Sequence, residues 1–249
     1  MRPPGGGVVL VTRPQGPADD LAERLRARGI EAIEAPTIRI EPVPPGGPLD
    51  RAIRAASGGR YDWVVFTSAA GVQAWFDRAG AVGATELRAR VGAVGPGTAE
   101  SLARRSRDPD LVPPTFTTVA LGEAFPSGTG RVLLARADLA APDLEAALRA
   151  KGWTVDRVEA YRTVFVEELP PPARAALDEG RVAAITFTSA STVRGFIRAA
   201  GRLPDGVAAV CIGPVTAAAA REAGMDVAAE ADPHTIEGLV DAVVRTVGR

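Results

Sequence analysis

The chain has 249 residues, 46% hydrophobic and 24% charged, and its 29 basic and 30 acidic side chains leave a formal net charge of −1. This suits a globular chain of one or two domains with apolar material for two modest cores. It excludes a general field that would attract nucleic acid or an acidic membrane, so an anionic ligand must be held by local groups. One Cys and one His exclude an internal disulfide framework and a Cys/His zinc cluster.

Apolar clusters of strand length alternate with helical patterns. Val8 to Val11 reads as a buried strand; Ala18 to Arg28 carries Leu21 and Leu25 at helical spacing, and Gly29 stops it. A short strand follows at Ala32 to Ala35. The grammar recurs at Trp63–Thr67, Val91–Val94, Arg131–Ala135, Val155–Val158, Ala183–Thr188 and Val207–Ile212. Helical stretches follow at Gly71–Ala79, Ala99–Arg105, Val193–Ala200 and Ala217–Ala223. Strands alternating with helices predict parallel α/β sheets. No apolar run approaches the ~20 residues of a membrane span. The first seven residues lack the apolar core of a signal peptide, so a cytoplasmic protein is expected.

An internal repeat runs through this pattern. Val9-Leu10-Val11-Thr12-Arg13 resembles Val132-Leu133-Leu134-Ala135-Arg136, and Gly29 and Gly152 keep the same offset. Phe66-Thr67-Ser68-Ala69 returns as Phe187-Thr188-Ser189-Ala190, and Gly95-Pro96-Gly97-Thr98-Ala99 as Gly213-Pro214-Val215-Thr216-Ala217. Two extended segments interrupt it, Thr37 to Pro42 and Thr163 to Glu167, each followed by prolines (Pro42 to Pro48, Pro170 to Pro172) that would limit a strand. Paired, they would form a connector (38–43 and 161–167) between a continuous domain, 44–160, and a discontinuous one, 1–37 with 168–249. The simpler alternative is two tandem domains split near residue 127.

Ligands of open parallel sheets bind beyond the carboxyl ends of the strands. Four repeated turns lie there: Thr67-Ser68-Ala69, Thr188-Ser189-Ala190-Ser191, Gly95 to Thr98, and Gly213 to Thr216. Their hydroxyls can cap helices, and the free N–H groups of the first turn can hold carboxylates or phosphates. Two domains would turn two such rims to one cleft. Plain helix capping is the competing reading, and duplication alone could preserve it. Arg13 and Arg136 end matching strands within reach of an anion, unless they are simply solvated. Tyr161, one of two tyrosines, could donate a proton to a leaving hydroxyl, or be a buried phenol with one partner. Cys211 reads as core and His234 as a capping or surface residue. Gly5-Gly6-Gly7 precedes a strand, whereas a phosphate loop must follow one. Asp138 and Asp143 suggest a receiver-like acidic pocket, but the first strands lack the acidic cluster that would complete it.

At these motifs the sequence resembles the uroporphyrinogen-III synthase family over nearly its whole length. Val11-Thr12-Arg13-Pro14, the two Phe-Thr-Ser-Ala motifs, the two Gly-Pro turns, Glu159-Ala160-Tyr161-Arg162-Thr163 and Thr235-Ile236-Glu237-Gly238-Leu239 carry the resemblance together, by order and spacing. It implies two flavodoxin-like parallel-sheet domains joined by a two-stranded β connector. It implies a cofactor-free, metal-free cyclising lyase acting on a linear tetrapyrrole, hydroxymethylbilane, as a cytoplasmic monomer that binds neither nucleic acid nor membrane. Transient contact with hydroxymethylbilane synthase is also implied. Tyr161 matches the tyrosine proposed to assist hydroxyl departure, and Ser68, Thr98, Ser189 and Thr216 match family cleft positions; Arg13 is carried less directly. The alternative is a cytosolic two-domain hinge-type binding or sensor protein for an anionic small molecule.

Overall fold

The computed structural model describes residues 7–14, 21–138 and 142–248. Gly5, Gly6 and the helix positions Ala18 to Asp20 lie outside the described residues. The chain forms two compact units: residues 1–39 with 164–249, and residues 40–163. In chain order, β1 (Val8–Val11), α1 (Leu21–Ala27), β2 (Ala32–Glu34) and β3 (Ile38–Pro42) come first. There follow α2 (Pro48–Ser57), β4 (Trp63–Phe66), α3 (Ala69–Val82), β5 (Arg90–Ala93), α4 (Pro96–Ala103), α5 (Thr118–Ala124), β6 (Arg131–Ala137) and α6 (Asp143–Ala150). The chain continues with β7 (Thr154–Phe165), α7 (Pro171–Asp178), β8 (Val182–Phe187), α8 (Ala190–Ala200), β9 (Ala208–Cys211), α9 (Pro214–Glu222), β10 (Val227–Glu230) and α10 (Ile236–Val247).

Among the described residues, one sheet is ordered β10-β9-β8-β1-β2 and the other β3-β7-β6-β4-β5. The pairings β1–β2, β1–β8, β8–β9 and β9–β10 are parallel, as are β4–β5, β4–β6 and β6–β7. Both sheets therefore follow the doubly wound order of flavodoxin-like folds. The repeat maps onto them crosswise. Motifs of the first copy lie on β1, β4 and β5, those of the second on β6, β8 and β9. Yet the run β9-β8-β1-β2 matches β5-β4-β6-β7 in order, so each sheet draws strands from both copies.

The segments read as a connector are neighbours: β3 is hydrogen-bonded to β7. However, β7 is one continuous strand of 12 residues, joining the expected strand at Val155–Val158 to the extended residues from Thr163. The prolines beyond the connectors have a further use, because Pro48 and Pro171 open α2 and α7. At a helix start the missing N–H costs nothing and the fixed φ is already helical. Gly29, at φ 76°, follows α1 in the left-handed conformation that ends helices.

Strands β1 and β4 are buried at every position, as strands covered on both faces must be. Alternate side chains divide between the faces. Val64 and Phe66 join the core with Ile53, Val72 and Trp75 of α2 and α3. Trp63 and Val65 join Leu121, Phe125, Leu144 and Leu148 of α5 and α6. There Phe125 lies 4.8 Å from Trp63 and 5.9 Å from Trp153 between ring centres. In the other sheet Val8 and Leu10 meet Ala173, Val193 and Phe196, whereas Val9 and Val11 meet Leu21, Leu25, Leu239 and Val243. Cys211, at the end of β9, is fully buried, and burial pushes its thiol up to about 12, which makes it an inert core residue.

Helices α2 and α3 are also tied electrostatically. Asp50 is 2% exposed and accepts both arms of Arg78, Nε and Nη2 at 2.5 Å each, and the Gly46 N–H at 2.7 Å. The Arg78 hydrogen bonds outweigh burial and hold this carboxyl down to about 2. A carboxyl lowered on folding stabilises above its unfolded pKa of roughly 3.9, and that stability is lost as pH falls through the folded value. Asp50→Asn should therefore lower the urea midpoint at pH 6, with the gap to the parent chain closing as the pH is lowered toward 2. A gap of constant size would show that the carboxylate is not its source.

Candidate functional site

In each sheet the strands beside the switch point send their following helices to opposite faces, which opens a crevice at their carboxyl ends. In the second unit that point lies between β4 and β6, where Phe66 is opposite Ala135. Ser68 follows β4 with extended backbone and caps α3, its Oγ accepting the Gly71 N–H at 3.1 Å. On the far side, β6 and β7 pair Arg136 with Glu159 and then Ala137 with Tyr161. The residue skipped is Ala160, an irregularity of the kind that re-aims a side chain next to a site. The Tyr161 hydroxyl lies 2.9 Å from Ser68 Oγ.

This is a dry corner. Tyr161 is 7% exposed and Arg136 only 3%. Burial pushes the Tyr161 phenol above its ordinary range; the Ser68 hydrogen bond and the Arg136 charge oppose the rise, and Asp138 adds to it. The hydroxyl is therefore neutral and protonated at physiological pH, fit to give a proton but not to take one. Burial pulls the Arg136 guanidinium down from its usual range, aided by the charge of Arg157. Asp138 accepts the Thr163 N–H at 3.1 Å, which fixes the strand end carrying Tyr161.

The matching corner of the first unit is built differently. Thr12 donates to Thr186 O at 2.6 Å and Thr186 to Leu10 O at 3.3 Å, locking β1 to β8 through buried hydroxyls. Arg13 lies half-buried in the turn beyond, and Thr188, Ser189, Ala190 and Ser191 are half-buried at the start of α8. Ser189 is engaged in a full capping box. Its Oγ accepts the Thr192 N–H, and Thr192 Oγ1 accepts the Ser189 N–H, both at 3.2 Å. In the second unit Thr67 is half-buried beside Ser68, and Ala69 is exposed.

The Gly-Pro turns start α4 and α9 without a side-chain cap, so helix N–H groups are left for other partners. Gly95 follows β5 and Gly213 follows β9, each one strand away from the corresponding serine; Thr98 and Thr216 are 4% exposed. Both glycines have extended backbone that any residue could adopt. Space is what demands them. A Cβ on Gly95 would stand 2.9 Å from Phe116 Cβ, and one on Gly213 would stand 3.3 Å from His234 Cγ. Phe116 precedes Thr117, the cap of α5, as His234 precedes Thr235, the cap of α10. Sequence reading missed this fourth repeat, a ring before a threonine cap, although its spacing from the Gly-Pro turn is the same in both copies. His234 thus borders the rim as well as lying beside a cap.

The family model for uroporphyrinogen-III synthase HemD matches residues 19–241. A uroporphyrinogen-III synthase of Synechococcus elongatus is 32% identical over 96% of this chain and 94% of its own length. The porphyrin biosynthesis protein HemD of Ruminiclostridium josui is 33% identical over 99% of this chain and 50% of its own length. Among solved structures, a mutant uroporphyrinogen III synthase of Thermus thermophilus gives a TM-score of 0.70 at 24% identity, covering 97% of this chain and 99% of that one. The Helicobacter pylori uroporphyrinogen-III synthetase gives 0.62 at 16% identity, covering 98% and 99%. These structures share the two-domain fold. None of these relatives supports the hinge-type sensor reading.

Since the clash at Gly95 is with Phe116 Cβ, no rotamer change of Phe116 relieves it. Gly95→Ala should cost about 1–3 kcal/mol of stability by overpacking. In a double-mutant cycle, Phe116→Gly should reduce that cost more than Phe116→Ala does, since alanine keeps the Cβ and removes only the contact with Cγ at 3.2 Å and the ring beyond it. Equal costs in all three backgrounds would mean that Phe116 does not set the glycine.

Proposed function

Since the chain belongs to the uroporphyrinogen-III synthase family, the cyclising lyases of tetrapyrrole biosynthesis, we propose that it closes hydroxymethylbilane with loss of water and inversion of the terminal pyrrole, and that Tyr161 protonates the departing hydroxyl. The observation that carries this is the neutral Tyr161 phenol in a buried corner, held 2.9 Å from Ser68 Oγ at the carboxyl end of the sheet.

Hydroxide is a poor leaving group, whereas a proton from Tyr161 lets it depart as water while the adjacent pyrrole nitrogen supplies the electron pair. The buried Arg136 charge favours the phenolate formed at that moment. The azafulvene cation is attacked by the substituted carbon of the last pyrrole, giving a spirocyclic intermediate. Fragmentation and re-closure invert that ring, and the proton lost at the closing carbon returns to the phenolate. Net loss is one water, and the pyrroles supply the electrons throughout, so the reaction asks for no cofactor. Direct closure is open to the free substrate, and the protein's larger task is to hold the chain where the spiro route is faster.

Carboxylates of the substrate are the natural partners of the Gly95–Thr98 and Gly213–Thr216 helix starts, which lack side-chain caps. Thr67, Ser68, Ala69 and Arg13 with Thr188, Ser189, Ala190 and Ser191 complete the proposed contacts in their respective units. No helix among the described residues is long and apolar enough to cross a membrane. The reading extends to a cytoplasmic monomer supplied through transient contact with hydroxymethylbilane synthase.

Freshly generated hydroxymethylbilane, without added metal, should give mainly the type III porphyrin after oxidation and isomer separation. Tyr161→Phe should lower kcat by about 100-fold, the low end for losing a general acid, in a chain that stays folded. Because burial raises the Tyr161 phenol, its deprotonation should contribute no falling limb to the kcat–pH profile below about pH 10. Full activity of Tyr161→Phe would remove Tyr161 from the mechanism.

A further inference from the structure

The two Phe-Thr-Ser-Ala motifs occupy equivalent places, after β4 and after β8, yet their serines are engaged differently. In the first unit, Ser189 is closed into a reciprocal box by Thr192, three residues on; Thr192 Oγ1 also donates to Ser189 O at 2.7 Å. In the second unit the residue three positions after Ser68 is Gly71. Its N–H bonds Ser68 Oγ at 3.1 Å, but it has no hydroxyl to reach back to the cap. Ser68 Oγ meets the Tyr161 hydroxyl at 2.9 Å.

Space explains the difference. A Cβ on Gly71 would stand 3.2 Å from Ser68 Oγ, 3.4 Å from Ala135 O and 3.7 Å from Tyr161 Cε1. The corner a larger side chain would enter is bounded by the tyrosine ring and the cap together. Both tyrosines of the chain lie in this unit, so the unit with the open cap is the one that holds the phenol.

We propose that Gly71 is a positioning residue: by placing no side chain in the corner bounded by Ser68 Oγ and the Tyr161 ring, it lets the Ser68 hydroxyl reach and orient Tyr161. The inference rests on the reading of Tyr161 as proton donor. It adds what keeps the corner beside this serine open to a tyrosine. Gly71→Ala adds a Cβ to that corner, and Gly71→Ser adds a Cβ and a hydroxyl.

With ring-labelled tyrosine the protein shows two tyrosine resonances, and Tyr161→Phe identifies one of them. Gly71→Ser should move the Tyr161 resonance and leave that of Tyr61, while kcat falls about tenfold, the size of one lost hydrogen bond, with KM little changed. Gly71→Ala, whose Cβ would stand 3.2 Å from Ser68 Oγ, should also move the Tyr161 resonance and lower kcat, by less than Gly71→Ser does. A Tyr161 resonance left unmoved by Gly71→Ser would overturn the proposal. A fully active Tyr161→Phe would instead overturn the proton-donor reading, and a Tyr161 resonance moved by Gly71→Ser while that of Tyr61 stays would then still establish the link between Gly71 and the tyrosine.

Discussion

A strand such as Trp63-Val64-Val65-Phe66 has an apolar side chain at every position, and only helices on both faces of its sheet can remove all of them from water. That constraint leads to the rest. Helices on both faces require crossover connections between parallel strands, and crossovers bring each strand's carboxyl end to a turn that starts a helix. The turns then collect along one rim of each sheet, where hydroxyls, helix N–H groups and charged side chains such as Arg136 border a dry interior. Ser68, Gly95 and Arg136 stand together because β5, β4 and β6 are consecutive in the sheet. They are far apart in the chain.

The same constraint explains how two copies of one motif set can be dealt crosswise between two units. A strand position in a doubly wound sheet asks for an apolar run and a capped turn, and it does not ask which copy supplies them. β8 beside β1 and β4 beside β6 are equivalent solutions, each pairing a strand that runs into Phe-Thr-Ser with a strand that has an arginine at or just beyond its carboxyl end. The chain passes between the units at residues 39–40 and 163–164, within β3 and β7.

Much of this was legible in the sequence because it is local. Apolar runs, glycine stops and repeated turns mark β1, β4, β8 and the starts of α3, α4, α8 and α9. What was not legible depends on contacts across the chain. The join of two expected segments into β7 is fixed by pairing with β6, since Glu159 to Arg162 is polar enough to read as a break. Pro48 and Pro171 carry two compatible local meanings, strand limit and helix start, and only the fold shows the second. The ring-before-threonine repeat at Phe116 and His234 escaped because it is kept between the copies in shape and not in residue type. Its signal was the fixed spacing from each Gly-Pro turn. Tyr161 stood out as a rare residue near a strand end, but its serine partner is named only by the irregularity that skips Ala160.

Duplication gives two similar corners, and similarity alone would leave the chemistry unassigned between them. The physical difference lies in what satisfies one hydroxyl. A serine cap with a threonine three residues on has its oxygen and its backbone N–H both engaged within one helical turn, and nothing further is needed from the surroundings. A serine cap with glycine at that position has the same bond to its oxygen but no side chain beside it, and a phenol from the next strand but one meets that oxygen. A buried phenol without such a partner would be costly, since an unsatisfied hydroxyl in a dry site costs about 1–3 kcal/mol. The tyrosine and the open cap therefore stabilise each other, and each is a reason for the other to be in the same unit. On that view the two copies differ by the loss of a side chain in one of them, which leaves room for a long-range hydrogen bond to hold the reactive group.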